Sequence, residues 1–168
     1  METPQEYTKR MVGNVGSQNP LRVQASTAKK LARLTKGHAP SKLRKRPAPD
    51  KWSVAEILAH LADSEVATSW RMRQILGAPG TPLQAFDQDA WAAACHYRKL
   101  DPRKSIEQFR GMREANLALL KTLTPEQWKH YGVHAERGKE SIEHIERMKA
   151  GHDLNHIRQI ERILAANS

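Results

Sequence analysis

A single cysteine, Cys95, rules out an intrachain disulfide and leaves neither a cysteine metal site nor a redox pair. Any metal held by this chain must be bound by histidine, aspartate or glutamate. Aromatic residues are only 5% of the sequence, and alternating runs rich in Val, Ile and Thr are missing. Both facts argue against extended sheets and for helices built from Ala, Leu, Lys, Arg and Glu. No apolar run approaches the roughly 18 residues of a membrane span. The opening METPQEYTKR lacks the apolar core of a signal peptide. A cytoplasmic protein with no membrane partner is the expectation. Acid is scarce only at the front: residues 1–51 carry 12 Lys/Arg against 3 Asp/Glu, whereas residues 52–168 carry 16 against 15, for a net charge of +10. The basic run KLRKRP could attract nucleic acid through phosphate contacts. No zinc-finger spacing, stacking-aromatic array or recognition-helix motif accompanies it, so a solvated basic face is expected instead.

What is present reads as helices around one core, which 168 residues can build comfortably. Residues 1–19 are expected to form an extension, with a short helix ending near Gly13 or Gly16, and residues 20–168 the main unit. Leu21, Val23, Leu31 and Leu34 mark an amphipathic helix from Pro20 to Lys36, stopped by Gly37. Residues 41–52 read as a turn and connector. Ser53 with Glu56 makes a capping-box pattern that opens a long helix closed by Gly77. Val54, Ile57, Leu61, Met72 and Ile75 share its apolar face, flanked by His60, Ser64 and Arg71. A long connection to Asp101, holding one short helix around DQDAWAAACHY, suggests a crossover between the second and third bundle helices. The third helix shows Ile106, Phe109, Arg113, Leu117 and Leu120 on one face. TPEQW starts a short turn and YGVHAERGKES is a loop. The last helix runs from about Lys139 to Ala166.

That last helix carries His152 and His156 within an apolar stripe made by Ile142, Ile145, Ile160 and Ile163. Four residues apart on a helix, the two imidazoles project side by side. An unsatisfied ring there costs about 1–3 kcal/mol, so something must compensate. His60 faces inward from another helix, and three neutral imidazoles from two helices make an open site for a divalent cation. Core histidines bonded to backbone or carboxylates are the competing explanation. His130 and His134 repeat the spacing in a loop, where it defines no face.

WSVAEILAHLADSE (52–65) and AGHDLNHIRQIERIL (150–164), separated by a third helix and the loop GVHAERG (132–138), resemble the DinB/YfiT-like superfamily of metalloenzymes over about residues 20–166. The resemblance implies an all-α four-helix bundle of up-down-down-up topology, which the 77–101 connection independently favours. It also implies a metal held by His60, His152 and His156. Some members of the superfamily are thiol transferases using low-molecular-weight thiols, and others are described as hydrolases.

Three imidazoles leave a coordination position for water or substrate, and the ion can lower the pKa of bound water to about 7 or hold a thiolate. Zinc is the first expectation; nickel, iron and manganese suit the same ligands. A small-molecule substrate, a thiol cosubstrate and a homodimer are further expectations. The alternative functions are a metal-containing scaffold without catalysis and a basic nucleic-acid-binding module. Arg71 either clamps a substrate carboxylate or phosphate or pairs inside the bundle. Gln159, one turn beyond His156, either touches a bound ligand or makes a core hydrogen bond. Asp153 either orients an imidazole or is a solvated or interhelical charge. His134 and Arg137 either close over the site or make turns, and Cys95 reads as a small packed residue.

Overall fold

A computed structural model describes residues 2–166. Four long helices form a bundle: α2 (Pro20–Thr35), α4 (Val54–Gly77), α6 (Pro102–Leu120) and α7 (Ile142–Ala166), with α2 and α4 each packed against both α6 and α7. α1 (Pro4–Val15) lies along α7, α3 (Pro40–Leu43) is a single turn in the connector, and α5 (Gln88–Ala94) sits in the crossover. The expected starts are chemically real. Ser53 Oγ accepts from the Glu56 amide at 3.3 Å while Glu56 accepts from the Ser53 amide at 2.9 Å, and Arg46 lies 2.5 Å from the same carboxylate. Among the described residues no helix is long and apolar enough to cross a membrane.

The purely helical expectation needs one correction. The stretch read as a loop is a hairpin, β2 (Tyr131–His134) and β3 (Gly138–Ser141), and β1 (Pro82–Leu83) from the crossover adds in parallel to β2. Consequently α7 starts at Ile142 and not at Lys139. Strands this short show no readable period in the sequence. Gly132 has its place because a Cβ there would collide with the Leu83 side chain across the strand pair. A tighter approach occurs where α1 meets α7. A Cβ on Gly151 would drive into the backbone carbonyl of Met11, so only glycine permits that contact.

The interior is layered along the bundle. One apolar cluster is built on Leu31, Ile57, Leu61, Phe109 and Ile160, the other on Met72, Ile75, Leu83, Leu120 and Ile142. Between them every bundle helix presents polar groups: Gln24 and Thr27 from α2, Glu65 from α4, Arg113 and Asn116 from α6, Glu146, Lys149 and Asp153 from α7, all buried. Arg113 is the hub, 2.6 Å from Asp153 and 2.7 Å from Glu65. Thr27 donates to Asp153 at 2.8 Å and Gln24 to Glu146 at 2.9 Å. Such a belt is tolerable only because nearly every member is satisfied.

Candidate metal centre

His60 reaches the bundle interior two turns into α4, while His152 and His156 come from the middle of α7. Their Nε2 atoms converge. His152 Nε2 lies 3.0 Å from His60 Nε2 and 3.1 Å from His156 Nε2, and one ligand atom from each of the three lies within 4.8 Å of the others. His156 Nδ1–H donates to Gln159 Oε1 at 2.9 Å, which leaves its Nε2 lone pair facing the cluster. Trp52 packs on His60 with ring centroids 5.0 Å apart and on Tyr97 with centroids 6.3 Å apart, and Tyr97 donates to Asp63 at 2.7 Å.

Protein hydrogen bonds do not account for this arrangement. Among the described residues His60 Nδ1 and His152 Nδ1 are buried without partners, and a single Nε2–H on His152 cannot serve both neighbours fully. Protonation is no remedy. Burial, reinforced by His156 and Lys149, pushes His60 and His152 well below the usual imidazole range, and burial takes His156 down to about 4. Three neutral rings with converging lone pairs are the donor set of a divalent ion. Tetrahedral ligand nitrogens about 2.1 Å from a zinc ion stand about 3.4 Å apart, close to the spacings seen. The residues fit a metal.

The triad opens onto a cavity of about 330 Å³, lined among others by Tyr7, Ser64, Arg71, Phe86, Arg137 and Lys149. Arg71 donates to the Gln84 carbonyl at 2.5 Å and lies 5.7 Å over the Phe86 ring; no carboxylate among the described residues pairs with it. Arg137 also lines the cavity but is engaged by Glu140 at 2.6 Å. Gln159 stands behind His156 and not on the cavity wall. Asp153 is an interhelical charge, fully buried on Arg113. His134 is buried in β2, accepting from the Glu136 amide at 3.2 Å, apart from the triad. Cys95 is exposed, where a packed residue was expected; it follows the last turn of a helix with no buried residues. Sequence reasoning missed Lys149 and Glu65. A lysine interrupting the apolar face one turn before His152 was the available signal.

A family model described as the DinB superfamily matches residues 25–160. A protein of Oceanobacillus iheyensis, provisionally named a metal-dependent hydrolase, is 29% identical over 117 residues, covering 70% of this chain and 67% of its own length. YfiT of Bacillus subtilis, under the same provisional name, is 27% identical over 67% of this chain and 64% of its own. The chain thus matches about two thirds of the length of these curated relatives. The solved structure of YfiT, described as having an unusual four-helix bundle topology, superposes with a TM-score of 0.77 at 22% identity, covering 97% of this chain and 90% of that one.

Proposed function

Because the chain belongs to the DinB superfamily, whose model spans residues 25–160, we propose that it is a metal-dependent enzyme acting on a small molecule, with hydrolysis as its reaction. His60, His152 and His156 hold the ion, zinc in first place. The observation that carries this reading is the convergence of three neutral imidazole Nε2 atoms, whose lone pairs the one Nε2–H that His152 can offer does not satisfy. When bound, the ion supplies Lewis-acid charge that makes a nucleophile available at neutral pH and leaves a position open to substrate.

The chain's own residues do the rest. Gln159 fixes the tautomer of His156, and Trp52 holds the plane of His60. Arg71, cationic and without an acidic partner among the described residues, takes an anionic group of the substrate. The names of the relatives support water as the nucleophile; the thiol of a small cosubstrate is the other nucleophile the same site would serve. The up-down-down-up order of the bundle belongs to the same proposal, supported by the long crossover between α4 and α6.

Elemental analysis of purified protein is the test. About one divalent ion per chain is expected, lost in His152→Ala and in His156→Ala and kept in His134→Ala. Metal retained by both ligand variants overturns the assignment. Turnover of an activated ester with and without an added thiol, against metal-stripped protein, then separates hydrolysis from thiol transfer and both from a scaffold.

A further inference from the structure

Two cavity residues beside the imidazoles have no role in holding an ion. Ser64 stands four residues after His60 on α4, and Lys149 three before His152 on α7, so each shares the helix face that carries a triad member. Both line the cavity. The Lys149 ammonium, only 5% exposed, donates to Ser64 Oγ and lies 2.9 Å from Glu65 Oε1. Those contacts use two of its three N–H groups. Ser64 accepts from Lys149, and its own hydroxyl proton has no acceptor among the described residues. Two donors are therefore left over at the cavity wall with no acceptor among the described residues.

Their positions are fixed by more than rotamer preference. Glu65 is held by Arg113 at 2.7 Å, and Arg113 in turn by Asp153 at 2.6 Å. Burial alone would raise the Glu65 carboxyl, but Lys149 and Arg113 bring it down to about 2, so the anion that anchors the ammonium persists. Preorganised donors are what stabilisation of developing charge requires.

We infer that Ser64 and Lys149 form an oxyanion-binding pair, which takes a carboxylate or the carbonyl oxygen of an acyl substrate beside the three imidazoles. This rests on reading the triad as a metal centre and narrows the substrate to an acyl compound. As the nucleophile's oxygen bonds to the acyl carbon, the carbonyl π pair moves onto oxygen, and the two donors hold that charge without giving up their protons. The pair returns when the bond to the leaving group breaks, and the proton shed by the nucleophile goes to the leaving group.

Cobalt(II)-loaded protein tests this through its visible spectrum, titrated with acetate and, separately, with neutral imidazole. Lys149→Met should bind acetate about tenfold or more weaker, in line with a lost charge-assisted hydrogen bond, and Ser64→Ala about threefold weaker. Cobalt content and imidazole affinity should stay at the wild-type level in both. Acetate affinity within twofold of wild type in Lys149→Met, or an equal loss of imidazole, overturns the pair. Should Lys149→Met fail to fold, Ser64→Ala decides by the same two criteria. Wild-type protein that takes up no cobalt, or a His152→Ala variant that takes it up unchanged, overturns the metal reading itself and this inference with it.

Discussion

At the scale of single residues, the decisive contacts are those that fix a side chain which itself does chemistry. Gln159 is one: it accepts from His156 Nδ1 at 2.9 Å and so chooses which nitrogen faces the cluster. Gln159→Leu should weaken metal affinity about 10–100-fold, the usual cost of removing such a partner, with little change in melting temperature. Competition against a metal indicator measures it. Arg113 is a different case, because it neutralises two buried carboxylates. Arg113→Met leaves Asp153 with the Thr27 hydroxyl but no cation, and Glu65 with Lys149 and Asn116, and should cost about 3–5 kcal/mol in urea denaturation. The histidine cluster was legible because H-x3-H interrupts an apolar stripe. Lys149 and Glu65 were not, since their meaning lies in partners 84 residues apart along the chain that only the assembled bundle reveals.

Among the elements, the helices declared themselves through caps and periodicity. Ser53 and Glu56 at the start of α4 are a reciprocal pair in the structure, and Gly37, with φ 82, lies just past α2. The hairpin did not, because four-residue strands carry too few positions to establish alternation. Its significance is positional: the β2–β3 turn brings Arg137 to the cavity, while Glu140 from β3 holds it. The contact between α1 and α7 was equally hidden, as it depends on an absent side chain. Gly151→Ala should force α1 away from α7 and cost about 1–3 kcal/mol. It should also expose the Tyr7 side of the cavity, which faster amide exchange over residues 4–15 would report.

For the whole molecule, the polar belt sets how stability responds to pH, and two carboxyls act in opposite directions. Glu65 has its folded pKa lowered to about 2; its contribution is present above the ordinary carboxylate value and is lost as pH falls towards 2. Glu146 is raised to about 7, by burial first and the Glu65 charge next. The fold therefore prefers it protonated, and stability declines as pH climbs from about 4.5 to 7. Glu146→Gln should remove that decline, gaining more in melting temperature at pH 8 than at pH 5. Thermal scans across that range check it, and a uniform shift at both pH values would contradict the assignment. The cavity rim carries a practical corollary. Glu2 and Pro4 line it, so an affinity tag joined ahead of them would emerge beside the cavity. The other end of the chain leaves α7 at Ala166, about 21 Å along the helix from His152, and assays of protein purified by a tag on that side should be free of obstruction.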